Sequence, residues 1–122
     1  MNKNPVNWLE IPTVDLERAK NFYAKVFNLE FQYAENPEAK MYMFGSSEAI
    51  GSGGGLSFTK DEKPCQTGTL VYFSCDDVTT ALEKVKKQGG AILVDRTDIG
   101  EHGFFAHILD SEGNRIGVHS YQ

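Results

Sequence analysis

The stretch VDLERAKNFYAKVFNLEF, residues 14–31, and the stretch DDVTTALEKVKKQGGAIL, residues 76–93, carry the reading of the fold. In the first, Leu16, Ala19, Phe22, Tyr23, Val26 and Phe27 recur at helical spacing, with Glu17, Arg18, Asn21 and Lys25 off that face. Asp15 has the short acceptor side chain that caps a helix start, and Asn28 is a plausible stop. In the second, Val78, Ala81, Leu82 and Val85 make the apolar stripe, Asp77 is the cap and Gly89-Gly90 ends the helix. Lys84, Lys86 and Lys87 suit the negative end of its dipole. An offset of 62 residues carries Asp15 to Asp77, Ala19 to Ala81 and Gly51 to Gly113. The chain repeats itself, and a repeat fixes architecture before any single motif does.

Working outward, each helix follows a strand. Asn7–Thr13 alternates, with Leu9 and Ile11 on one side and Trp8 and Glu10 on the other. The same offset takes Leu9 to Val71 and Ile11 to Phe73, within the strand predicted over Thr69–Cys75. Three more strands are expected after the first helix, over 29–34, 41–45 and 55–59. Three more are expected after the second, over 91–94, 104–109 and 115–119. Turn-rich pieces NPEAK, GSGGG, TDIGEHG and DSEGN separate them. The order is therefore βαβββ twice, an α+β fold of one domain over 1–122, with modules of about 4–60 and 67–121. Each module has one sheet face covered by its helix and the other bare. The expectation is that the bare faces curl around a shared cavity, the natural place for a ligand.

Composition narrows the function. The chain has 122 residues, 40% apolar and 24% charged, which is ordinary for a globular domain. Twelve basic against seventeen acidic residues leave a net charge of −5, which excludes reliance on phosphate contacts and hence nucleic acid. No apolar run approaches the roughly 18 residues of a membrane span. The start MNKNPVNWLEIP lacks a secretory apolar segment, and Cys65 and Cys75 have neither metal nor framework spacing. A cytoplasmic protein with two reduced thiols is expected.

The tract at 14–31, the segment GTLVYFSCDDVTTALEKVKKQGGAIL at 68–93 and the ending GFFAHILDSEGNRIGVHS at 103–120 resemble the vicinal oxygen chelate superfamily. That superfamily includes glyoxalase I, extradiol dioxygenases, fosfomycin-resistance enzymes and bleomycin-resistance binding proteins. The first strand, with its Glu10-Ile11-Pro12, resembles a glyoxalase-related group. The resemblance implies the paired βαβββ fold and, in catalytic relatives, a divalent metal held by four side chains. Laid on that pattern, the ligand positions fall on Trp8, Gly55, Leu70 and Gly117, none of which offers a ligand. No cofactor is therefore expected, and a metal only if its ligands have moved.

Other residues could do the work. Glu10 shares the face of Trp8, and His119 that of Gly117. Glu10 and His119 are the catalytic candidates, His119 as general base and Glu10 as the carboxylate that orients it, or as two ligands of a displaced metal with His107 or Asp95 as a third. The plain alternative is a hydrogen-bonded polar pair. Trp8, Leu70, Tyr72, Phe104 and Gly117 are the expected ligand-lining positions, against the alternative that strand aromatics are simply core. Gly51-Ser52-Gly53-Gly54-Gly55 misses the GxGxxG spacing, because Leu56 occupies the third glycine's place. It reads better as a bulge or a close backbone approach. His102, in a turn, could gate a pocket or simply be solvated. Ser57, Ser74 and Ser120 have no nucleophile elbow. Three functions remain: a non-catalytic binder of a small organic molecule; a lactoylglutathione-lyase-like lyase or isomerase; and an interaction module. The resemblance also implies a homodimer, with modules paired within or between chains.

Overall fold

The structure, a computed structural model, describes residues 4–46 and 48–122. It begins with strand β1 (Trp8–Pro12) and helix α1 (Leu16–Phe27), followed by β2 (Gln32–Asn36), β3 (Ala39–Phe44) and β4 (Gly53–Thr59). The second half gives β5 (Tyr72–Ser74), α2 (Val78–Lys87), β6 (Ala91–Asp98), a short 3-10 turn at Gly100–His102, β7 (Phe104–Leu109) and β8 (Arg115–Ser120). The sheets have the orders β1-β4-β3-β2 and β5-β8-β7-β6. In each, the first and last strands of the module run parallel, and the remaining pairs are antiparallel. The predicted α+β fold of two βαβββ units is what forms.

Both helix ends behave as their residues dictate. Asp15 accepts from the Arg18 amide at 3.0 Å, and Asp77 accepts from the Thr79 amide at 2.8 Å. Asn28 closes α1 in the left-handed region at φ 56°, a conformation its short polar side chain tolerates. The repeat is visible in hydrogen-bond register. Glu10 pairs with Gly55, and Tyr72 pairs with Gly117, the same pair 62 residues later.

The glycine run resolves as a close approach. A Cβ on Gly54 would sit 2.5 Å from the Leu9 carbonyl oxygen, so β1 and β4 can lie this close only with glycine there.

Some strand limits differ from expectation. β2 starts three residues later than predicted, leaving Leu29 and Phe31 to pack on the core as loop residues. β5 shrinks to three residues because its partner strand is occupied elsewhere: the Arg115 amide, which would extend the ladder toward Leu70, donates instead to the Cys65 carbonyl at 3.2 Å. β6 runs on to Asp98 through two register shifts.

The core lies on the helix side of both sheets. Phe22, Tyr23 and Val26 of α1 and Val78, Leu82 and Val85 of α2 are buried in one cluster with Leu56, Ile108 and Val118 from the sheets. Rings join the halves: Phe27 stacks on Phe73 at 4.7 Å between centroids, and Phe44 meets Phe73 at 5.8 Å. The turn between β7 and β8 locks them further. Glu112 accepts from the amides of Val14 and Asp15 at 2.9 and 2.7 Å and from the Arg18 guanidinium at 2.8 Å. Tyr23 donates to Asp110 at 2.6 Å, and Asn114 donates to the Pro12 carbonyl at 2.8 Å. Within one chain the modules are thus joined through helices, rings and this turn, while the bare faces lie outside the common core.

Candidate ligand-binding site

Alternation along β7 decides what each bare face carries. Phe104, Ala106 and Ile108 point to the helices, where Ala106 and Ile108 are fully buried. Phe105, His107 and Leu109 point the other way, opposite His119, Gly117 and Arg115 of β8. On β5, Tyr72 and Ser74 join that face beside Gly117 and His119. On β5, β7 and β8 the bare face is therefore Tyr72, Ser74, Phe105, His107, Leu109, Arg115, Gly117 and His119, and the register adds Val94 and Thr97 of β6. A cleft of about 480 Å³ opens on it, lined by Tyr72, Ser74, Ile99, Phe105 and His119.

This face holds a connected polar line. The Tyr72 hydroxyl lies 2.8 Å from Nε2 of His107. The other ring nitrogen, Nδ1, receives Nη2 of Arg115 at 3.0 Å and Nε at 3.3 Å. Burial and the adjacent Arg115 charge both hold the His107 pKa below its ordinary value, so the ring is neutral near pH 7. Phe105 flanks the line, 5.4 Å from the His107 ring and 6.5 Å from that of Tyr72. Separately on this face, His119 Nε2 donates to the His102 carbonyl at 2.6 Å, and its ring meets Tyr121 edge-on at 4.8 Å. That bond gives His102 a positional role through its backbone.

The other candidates fall in different places. Trp8 and Glu10 lie on the bare face of the first sheet, where Trp8 Nε1 donates to Glu10 at 3.0 Å. Glu10 and His119 thus belong to separate sheets and share no hydrogen bond. Phe104 lies on the helix side of the sheet, partly buried against the core, with the Arg96 guanidinium carbon 3.8 Å from its ring centroid. Its neighbour Phe105 takes the lining place, as period-two alternation with His107 requires. Asp95 borders a different cleft with Glu83 and Lys86, away from His107. Leu70 is half-buried just ahead of β5. Arg115 and Phe105 were not singled out in the sequence. The signal was available, since Phe105 is two residues from His107 and Arg115 two from Gly117.

A metal fits poorly at the four positions the fold family would use. The Tyr72 ring lies flat over Gly117, occupying the space a side chain there would enter. A Cβ on Gly55 would sit 2.6 Å from Sδ of Met41. Both glycines are overlaid, and neither Trp8 nor Leu70 supplies a ligand atom of the kind a divalent cation takes. Among the described residues, no three His, Cys, Asp or Glu side chains gather as a metal site would need. Nor is any described helix long and apolar enough to cross a membrane.

Comparison with known proteins agrees with this architecture. A profile of the Glyoxalase/Bleomycin resistance protein/Dioxygenase superfamily matches residues 6–118. A glyoxylase-like domain-containing protein of Didymella fabae is 34% identical over 117 residues, covering 93% of this chain and 91% of that protein. The putative glyoxylase CFP32 of Mycobacterium bovis is 29% identical, over 92% of this chain but 44% of its own length. The crystal structure of a V278E variant of glyoxalase I from Zea mays superposes with a TM-score of 0.75 at 21% identity, covering 96% of this chain and 46% of that one. The chain thus spans less than half of those last two proteins, and the maize likeness concerns the fold.

Proposed function

This chain belongs to the glyoxalase/bleomycin resistance protein/dioxygenase superfamily, and from that premise we propose that it binds a small organic molecule without a metal. The ligand occupies the bare face of β5, β7 and β8. The observation that carries this reading is the Tyr72 ring lying over Gly117. It replaces a would-be ligand position with an aromatic wall, beside a row of hydrogen-bonding groups. That is a surface for a flat organic body with polar ends. The test is metal analysis of protein purified without chelators, followed by a thermal-shift screen of metabolites and antibiotics. Expected are metal well below one equivalent, no change of Tm with chelator, and stabilisation by particular organic compounds. Stoichiometric Ni, Zn or Mn together with turnover of a hemithioacetal would overturn it.

The working form is a homodimer in the cytoplasm. Trp8 is 43% exposed on the bare face of the first sheet and Tyr72 is 49% exposed on that of the second. A second copy laying the first face over the second would cover both. The same arrangement supports a second reading. Glu10 of one copy would then approach His119 of the other, and a lyase or isomerase could use them as an acid–base pair. Activity lost in both Glu10→Gln and His119→Gln variants, with binding retained, would favour the enzyme.

A further inference from the structure

We propose that Arg115, His107 and Tyr72 form a directed line of hydrogen bonds that receives a carboxylate, so that the ligand is a flat, apolar organic acid. This inference rests on the metal-free binding reading and gives it a ligand class.

The direction of the line follows from what each group can do. A guanidinium only donates, so Nδ1 of His107 must accept, and the neutral ring carries its proton on Nε2. Nε2 therefore donates to the Tyr72 oxygen at 2.8 Å. With its oxygen already accepting from the protein, the Tyr72 hydroxyl has its own proton left to give. No protein acceptor takes it among the described residues, and Tyr72 lines the cleft. Protonation of His107 would place two donors against each other at Nδ1, and burial together with the Arg115 charge disfavours it as well.

Charge then selects the partner. Arg115 makes no ion pair among the described residues, whereas Arg18 has Glu112. The register puts no Asp or Glu on this face of β5, β7 or β8. Arg115 is the one Lys, Arg, Asp or Glu that the register places on this face of those three strands. The cleft offers the Tyr72 hydroxyl proton and the rings of Tyr72 and Phe105, with the Arg115 charge behind the His107 ring at the other end of the line. A carboxylate on an aromatic body matches both the charge and the walls. A neutral compound would leave the guanidinium without a counter-charge, and a bulky polyanion would not suit walls that are mostly aromatic.

The test uses isotopically labelled full-length protein titrated with benzoate, phenylacetate and 2-naphthoate and, in parallel, with the corresponding amides. Acids are expected to shift resonances of Tyr72, Phe105 and His119 and to bind at least about tenfold tighter than their amides. Tyr72→Phe and Arg115→Gln should each weaken the acids about tenfold and leave the amides nearly unchanged. If Arg115→Gln fails to fold, Arg115→Lys keeps the charge but loses the fork, and should show an intermediate loss. Ring-nitrogen shifts should place the His107 proton on Nε2. Acids that bind no better than amides, acids that leave the cleft resonances unmoved, or a proton on Nδ1 would each overturn the proposal. Failure of the underlying reading looks different: it is a stoichiometric metal in the same sample, whereas neutral aromatics binding in preference to acids removes only the ligand class.

Discussion

Replacing Gly117 with alanine would drive a methyl group into the Tyr72 ring, since a Cβ there would overlap Cδ2, Cε2 and Cγ of that ring. The ring must then swing away and give up its bond to His107. Overpacking of this kind costs about 1–3 kcal/mol. Part of it should be relieved, because Tyr72 is half exposed and has room to move. The expected result is a modest fall in urea midpoint with a disproportionate loss of ligand affinity; an unchanged affinity would show that the ring position is irrelevant to binding. The absence of a ligand side chain at Gly117 was legible in the sequence. The covering ring was not, because it depends on the Tyr72 rotamer and on which residue of β8 lies beside it. Which side Phe104 takes follows from alternation rather than from its being aromatic: it shares the helix side with Ala106 and Ile108.

At the scale of elements, the turn Asp110–Asn114 acts as a cap for a helix nearly a hundred residues upstream. The Glu112 carboxylate is fully buried and accepts from the amides of Asp15, the cap of α1, and of Val14 just ahead of it, which both satisfies those donors and places negative charge at the helix N-terminus. Glu112→Ala leaves the Val14 and Asp15 amides without an acceptor. Water can serve the half-exposed Arg18 more easily than it can reach these. A loss of about 2–4 kcal/mol in chemical denaturation is expected. The pH dependence has a definite sign. Burial pushes the Glu112 carboxyl up, but Arg18, Ser111 and the two amides outweigh it and hold the pKa below the ordinary 4.5. Its contribution is therefore complete above that value and is lost as pH falls through the lower folded value. Asp110 opposes it: burial outweighs its donors and raises its pKa, so its contribution is greatest at low pH and fades as pH rises through the folded value. Glu112→Gln should accordingly flatten the acid limb of the stability profile, measured as urea midpoint against pH; an acid limb as steep as in the parent would contradict this. The sequence marked DSEGN as a turn and both helices with their caps, because those signals are local. What the turn docks against is a tertiary contact and leaves no local trace.

For the whole molecule, the two bare faces pose a question of closure. The common core uses the helix side of both sheets, so a single chain leaves Trp8, Glu10, Met41 and Met43 of the first sheet and the Tyr72 line of the second without a cover. The offset of 62 residues made the duplication legible, and the duplication implied two equivalent faces. It could not say whether those faces meet within a chain, because the linker between modules permits either pairing. Trp8 is the only tryptophan, so its emission reports the first face alone. If a second copy covers that face, Tm should rise with protein concentration by mass action, and Trp8 emission should shift to the red on dilution as the indole enters water. An aromatic acid held at Tyr72 should quench Trp8 in the dimer and leave it unchanged in a dilute monomer, since within one chain the two residues lie on different sheets. Sedimentation run at the same concentrations separates the cases. A monomer throughout, with quenching by ligand, would mean that the faces of one chain approach each other after all; a dimer with no quenching would place its interface elsewhere and leave the cleft open to solvent.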